Sequence, residues 1–562
     1  MLSKRVVIFL VLWAGSLSEA QQPAKASRYY ESRVRLSGPA IATMQKIDPE
    51  RIRAHVRFLA HDLLEGRGTG QRGGAIAAEY MATQFALSGL RPAGDSGTYL
   101  QSVPLVGLTP LPETTFSLVP DKGSAIDLQP LDQYVAYDQT QQPTSDVDAE
   151  VVYVGYGIEA PEYNWDDYKG LDVHGKLLLM LVNEPPSEDV KFFQGKALTY
   201  YGRWTYKYEE ALRKGAAGAI LIHKTDMASY PWDVVRNSNS GEKSYLKLEG
   251  KPALKVAAWI QLDVARQLAN RAGRNLDQMM EEAQSRDFRP VTLPVKLKAH
   301  MATKVRPFDS SNVLAFLPGS VKGEAILYTA HYDHLGVRPD MPGDNIYNGA
   351  DDNATGCGIL LELARVYAES LEKPHRSILF ASVTAEEQGL LGSEYLVKHL
   401  PIPANKISLG LNYDDVPPLG APEEVEVVGA ERTTFYPAVQ ALAKTFRLTI
   451  RPDSEPEAGH YYRSDQFSLA QAGIPAFAIN EGVKYKGHDV AWGQKQADEF
   501  TAKHYHQPSD EYRPWMDFTG DAVMARFGFA VGWEAAVQPE LISWQKGDEF
   551  APPRTNRASG RE

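Results

Sequence analysis

One cysteine, Cys357, stands in 562 residues, so no disulfide can form within the chain and stability has to come from packing. Set in the apolar stretch Ala354 to Leu363, with no His and Asn pattern beside it, that thiol reads as buried and inert. Positive charge is also short, since 59 Lys and Arg against 71 Asp and Glu leave a net charge of −12. No basic cluster is present to neutralise phosphates, which excludes nucleic acid as a partner. Long apolar runs are missing too. Val6 to Leu12, preceded by Lys4 and Arg5, is too short to span a bilayer and is followed by the small residues Ser16, Ser18 and Ala20. That order of charge, apolar core and small residues is a secretory signal, residues 1–20, with cleavage expected after Ala20. A secreted or periplasmic location follows, with no membrane span after cleavage.

What is present is an ordinary globular composition, 43% hydrophobic and 23% charged, in a chain long enough for two or three domains. Pro49 to Leu64 and Ala75 to Leu90 carry helical periodicity and are joined by the Gly-rich stretch Gly66 to Gly74. Gly68 to Gly73 matches the dinucleotide fingerprint G-x-G-x-x-G, but a helix precedes it where the motif needs a strand, so it reads as a loop. From Leu128 to Pro294 short β runs alternate with a few helices, and no candidate metal cluster falls there. From Asn312 onward strands and helices alternate, which implies an α/β fold with a mostly parallel central sheet flanked by helices. The expected boundaries are 21–127 and 295–549 for the two parts of the catalytic domain, 128–294 for a β-rich insert and 550–562 for a disordered tail.

Five potential metal ligands occur along the catalytic part: His331, Asp351, Glu387, Asp414 and His506. Two imidazoles and three carboxylates suit two divalent cations with a hydrolytic water between them, because they neutralise charge without quenching Lewis acidity. Ala325 to Tyr328, Ser377 to Val383 and Ile407 to Leu411 read as buried strands just ahead of His331, the Glu pair and Asp414, and the carboxyl ends of neighbouring parallel strands converge. Asp333, two residues beyond His331, is placed to hydrogen-bond the imidazole nitrogen that faces away from metal. His334 is assigned to the opposite face of an extended strand. Adjacent Asp351 and Asp352 repel unless cations relieve them, and a single bridging carboxylate does so. Glu386, left over beside Glu387, is free to act as general base. Tyr505 is a candidate donor to a tetrahedral oxyanion. Asn353-Ala354-Thr355 matches a glycosylation sequon but falls inside the site.

In Ala330-His331-Tyr332-Asp333-His334, Gly349 to Gly356, Thr384-Ala385-Glu386-Glu387-Gln388-Gly389, Asn412-Tyr413-Asp414 and Tyr505 to Asp510 the chain resembles the zinc aminopeptidases of metallopeptidase family twenty-eight, clan MH. Arg463-Ser464-Asp465-Gln466 is also similar, although the family often has His in place of Gln466. The resemblance implies two zinc ions, with cobalt or manganese as substitutes, bridged by Asp351. His331 and Asp414 would complete one site, Glu387 and His506 the other, and Glu386 would be the base. Asp333, Asp352, Asp465 and Asp510 would support these residues from behind, with the Asp351–Asp352 peptide bond cis as in relatives. Val152 to Gly157 makes the insert resemble a protease-associated domain covering the cleft.

The function implied is an aminopeptidase acting on peptides. A sister family, number twenty, inserts a dimerisation domain between the Glu pair and the last His, and the short Asp414 to His506 interval leaves no room for one. A one-zinc glutaminyl-cyclase-like transferase fits the full ligand set less well. A carboxypeptidase or dipeptidase of the same family, and a non-catalytic receptor-like binder, are the other readings.

Overall fold

The computed structural model describes residues 36–551 except 229 and 340, so the expected signal and the tail from residue 552 lie outside the described residues. Phe550 and Ala551, assigned to that tail, are instead packed against Trp544, Tyr462 and Phe467. Among the described residues no helix is long and apolar enough to cross a membrane.

Ala325–His331 is central and wholly buried, and it pairs in parallel with Ser377–Val383 on one side and Ile407–Asn412 on the other. Ala476–Ala478 extends the parallel block beyond Ile407–Asn412. Strands buried on both faces have no polar side to present, which is why each reads as a continuous apolar run. On one face Ile326, Tyr328 and Phe380 pack against the helices Gly356–Ala368 and Thr519–Val537. On the other, Leu327 and Leu379 meet Leu396 and Leu469 from Leu391–Lys398 and Gln466–Gln471.

Val291–Leu317, 27 residues long, joins the two halves of the molecule. Its second half pairs antiparallel with Ser377–Val383 and Leu100–Pro110, so the expected mostly parallel sheet is mixed at this edge. In its first half Leu293, Val295, Leu297, Ala299 and Met301 alternate inward and belong to a separate core. There it pairs with Thr144–Tyr153, from which a second parallel block continues through Leu177–Leu181, Gly218–His223 and Val256–Gln261.

The Gly-rich loop has a packing role. The helix Pro49–Leu59 ends short of Leu64, and a short 3-10 segment with Glu65, Gly66 and Arg67 at φ 50°, 62° and 50° precedes the next, Arg72–Leu87. That second helix begins three residues earlier than its periodicity suggests, because Gly73 and Gly74 lie so close to the carbonyl oxygens of Leu64 and Gly68 that a Cβ would collide with them.

Candidate metal centre

The carboxyl ends of the three parallel strands converge as their sequence positions imply. His331 is the last residue of its strand, Asp414 lies two residues past Ile407–Asn412, and the Glu pair follows Ser377–Val383 after a turn at Ala385 with φ 56°. His331 Nε2 lies 3.1 Å from Asp414 Oδ1, 3.2 Å from Asp352 Oδ1 and 4.0 Å from Glu386 Oε2. On the other side His506 Nε2 is 3.2 Å from Asp352 Oδ2 and 3.2 Å from Glu387 Oε2. The two oxygens of Asp352 therefore face two separate sets of donors.

This corrects the assignment of the shared carboxylate to Asp351. Gly349 adopts the left-handed region at φ 58°, and the Asp510 carboxylate accepts both following amides, from Asp351 at 2.9 Å and Asp352 at 3.1 Å. With the backbone held this way the Asp352 side chain points to the imidazoles. Asp351 is buried among carboxyls, with Oδ1 lacking a hydrogen-bond partner, and burial followed by Asp510 and Asp521 raises its pKa. The cis peptide bond is likewise Asp352–Asn353, one residue beyond the expected position. Asn353 is fully buried, its amide donating to the Tyr413 carbonyl at 2.9 Å, so the sequon is closed to modification.

His334 faces the cluster, not the opposite side that strand alternation predicts. The strand ends at His331, so alternation no longer applies three residues on, and His334 Nδ1 lies 2.6 Å from Glu387 Oε1 and 3.9 Å from Asp352 Oδ2. Close as they are, His334 Nδ1 and Glu387 Oε1 are not aligned as a hydrogen bond. Such misaligned approach of a buried nitrogen and oxygen suits atoms that share a cation.

Asp333 works differently from the expected contact. The Asp333 backbone carbonyl is 3.1 Å from His331 Nδ1, while its carboxylate is 3.8 Å away and takes the Thr69 hydroxyl at 2.8 Å and the Glu386 amide at 3.2 Å. Nε2 is thereby turned toward Asp352 and Asp414, and Glu386 is tied to the same loop. Behind Asp414, the Ser464 hydroxyl donates to Oδ2 and receives the Asn412 amide at 2.8 Å. Gln466, where the family often has His, accepts from Asn412 at 3.0 Å and donates to the Tyr461 carbonyl at 2.8 Å, so it orients this chain of contacts. Asp465 is buried facing His331 and Asp414, and burial pushes it up to about 7. Tyr505 stacks on His506 with ring centres 3.9 Å apart and is 42% exposed, at the rim of the site. Cys357 lies behind His331, its Sγ 3.1 Å from the His331 carbonyl, and burial pushes the thiol up to about 11.

Two contributors carried no signal in a motif. Asp415, beside Asp414, adds a carboxyl facing Asp352; the Asp-Asp pair was the clue available. Arg67, in the Gly-rich loop, is fully buried and donates to the carbonyls of Tyr332, Leu59, Gly349 and Asn348, the first three at 2.7, 2.7 and 2.8 Å. It clamps the two loops that present His331 and Asp352.

Electrostatically the cluster wants cations. Burial works against a charge on His506, yet Glu387 and Asp352 hold it up to about 9, and the same balance, led by Asp414 and Glu386, raises His331 well above its ordinary value. Protons on the imidazoles then do what divalent ions do in a carboxylate-rich site. His331 with Asp352 and Asp414, and His334 with Asp352 and Glu387, each bring one ligand atom per residue within 4.8 Å of the others. His/carboxylate sets of this kind suit zinc.

Residues 312–526, which contain every one of these cluster residues, match the model of peptidase family M28. A "Probable zinc metalloprotease" of Pyrenophora tritici-repentis (strain Pt-1C-BFP) is 38% identical over 227 residues, 33% of this chain and 45% of that protein. "Leupeptin-inactivating enzyme 1" of Streptomyces exfoliatus is 27% identical over 221 residues, 38% of this chain and 47% of that one. The chain thus spans less than half the length of these two curated relatives. Among solved structures, an aminopeptidase from Aneurinibacillus sp. strain AM-1 is similar with a TM-score of 0.49 and 19% identity, covering 89% of this chain and 96% of its own. The ligand cluster thus lies wholly inside the region that matches the model of peptidase family M28.

Proposed function

We propose that the chain is an exported binuclear zinc aminopeptidase that removes N-terminal residues from peptides. The observation that carries this reading is Asp352, whose Oδ1 faces His331 and whose Oδ2 faces His506, each at 3.2 Å. His331 and Asp414 would hold one ion and Glu387 and His506 the other, with Asp352 shared and His334 a further donor to the second. Two zinc ions so placed would polarise the scissile carbonyl, hold the free amino group and acidify the attacking water.

Glu386 is the residue of the cluster best placed to move protons. Its amide is tied to Asp333, its carboxylate lies 4.0 Å from His331 Nε2, and burial, reinforced by Asp414 and Glu387, raises its pKa well above the ordinary value. A carboxylate tuned upward takes a proton from water and returns it to the leaving amine. Tyr505 at the rim would contribute a hydroxyl donor to the developing oxyanion. Export rests on the Lys4 to Ala20 pattern, and a protease-associated insert is supported by a separate core, which includes Phe116 and Met301 and so reaches beyond 128–294 on both sides.

The test is hydrolysis of aminoacyl anilides by zinc-loaded protein comprising residues 21–562, each substrate offered with a free and an acetylated amino group. Cleavage confined to the free-amine set supports the aminopeptidase. Cleavage confined to peptides with a blocked amine and free carboxyl terminus replaces it with a carboxypeptidase, and silence on every set favours a receptor-like binder.

A further inference from the structure

Outside the metal cluster, Arg203 and Arg463 line one pocket, together with Tyr230, Leu198 and Met227. Arg203 sits at the start of the helix Trp204–Arg213 in the inserted half, whereas Arg463 comes from the catalytic half. Arg203 Nε is shut off from solvent and has no hydrogen-bond partner. Burial and the neighbouring positive charge of Arg463 push its guanidinium down to about 10, and Tyr230 faces both arginines.

Three acids of the surrounding region are committed elsewhere. Glu549 takes Arg432 and the Tyr462 hydroxyl, Glu209 takes the Tyr200 hydroxyl, and Glu184 takes the amide and hydroxyl of Thr199. Glu457 lines the same pocket but forms no ion pair within 4 Å among the described residues. Two guanidinium groups brought together, one with a buried unused donor, are costly unless an anion joins them. A carboxylate matches their forked geometry.

The position says which carboxylate. Arg463 immediately precedes Ser464, whose hydroxyl donates to Asp414 of the metal cluster. The geometry points to a carboxylate subsite formed by Arg203, Arg463 and Tyr230, which receives the C-terminal carboxylate of a short peptide whose N-terminal bond lies at the metal centre. This inference rests on the aminopeptidase reading and narrows it to di- and tripeptides. An acidic side chain is the other source of the same chemistry.

The experiment compares kcat/KM for Leu-Gly and Leu-Gly-Gly with their C-terminal amides, and for Leu-Glu-amide with Leu-Gln-amide, using zinc-loaded protein and leucine anilide as the substrate without a carboxylate. The charge-assisted contacts predict a preference of about 10- to 100-fold for the free carboxylate, carried mainly in KM. Arg463→Gln, at an exposed position, should bring that ratio to within about threefold of unity, and Arg203→Gln should do the same. A preference only in the Glu and Gln pair assigns the pocket to an acidic side chain. Ratios near one in both pairs, with the anilide cleaved, overturn the subsite and leave the aminopeptidase standing. Calorimetry with Gly-Gly and its amide decides the matter without turnover, since equal binding of the two overturns the subsite even in an inactive protein. Tighter binding of Gly-Gly that Arg463→Gln abolishes supports it.

Discussion

Replacing Arg67 with lysine keeps the positive charge inside the catalytic half but removes the planar fork. In the native protein three guanidinium nitrogens reach four backbone carbonyls, of Tyr332, Leu59, Asn348 and Gly349. An ammonium is a single point with three donors, and it cannot meet acceptors that surround a planar group from different sides. Two of the four contacts would be lost, each a hydrogen bond from a charged donor contributing about 1.5–3 kcal/mol, and the abandoned carbonyls would stay buried. Arg67→Lys should therefore destabilise the protein by about 3–6 kcal/mol, a large share of the roughly 5–15 kcal/mol that holds a typical domain together. In thermal unfolding of the zinc-free protein that is a fall of roughly 4–8 °C. Zinc affinity should drop as well, because the Tyr332 and Gly349 carbonyls belong to the loops that present His331 and Asp352. Circular dichroism with and without zinc, followed by zinc titration, measures both. A variant that melts within about 2 °C of the native protein and binds zinc equally well would show that the clamp is dispensable, and the reasoning would be refuted.

Other perturbations separate the remaining assignments. Asp352→Asn should cost at least the 10- to 100-fold in metal affinity that loss of a supporting contact costs, whereas Asp351→Asn should stay within about tenfold of native activity; zinc stoichiometry by mass spectrometry with the reverse order restores Asp351 as the shared ligand. Glu386→Ala should keep its zinc and lose about 10²- to 10⁴-fold in kcat, and near-native turnover would remove Glu386 as the base. His55, buried beside Tyr80 with Nδ1 2.9 Å from its hydroxyl, is held down to about 4 by burial and the charge of Arg51. Its neutral folded form takes up fewer protons than the unfolded chain below pH about 6.5, so stability should fall as the pH drops from 6.5 toward 4 and level off above 6.5. The shift corresponds to about 3 kcal/mol, and His55→Gln should flatten that part of a urea-melt pH profile relative to the native protein. An unchanged slope would mean that His55 is not what titrates.

The parallel strands were legible because burial on both faces leaves an unbroken apolar run, as in Ser377–Val383 and Ala325–His331. Residues just past such runs have to gather at one end of the sheet, and this made His331, the Glu pair and Asp414 recognisable. The extension of the sheet through Val291–Leu317 was less so, since its two halves answer to different neighbours: alternating burial faces one core, and a fully buried run lies beside Ser377–Val383. His334 escapes strand alternation because the strand ends three residues before it, at His331.

By itself the sequence determined the chemistry on offer: acids and imidazoles at strand ends, and a single cysteine with no second thiol in the chain to pair with. Which oxygen faces which nitrogen was decided by tertiary structure. Asp351 and Asp352 differ by one position and nothing local distinguishes them, but the Asp510 carboxylate, 158 residues from Asp352, accepts both their amides and sets the backbone that aims Asp352 inward. Arg67 is a loop residue in sequence and a buried clamp in space for the same reason. A carbonyl advertises no partner in a one-dimensional string, and only folding brings the carbonyls of Tyr332, Asn348 and Gly349 around one guanidinium.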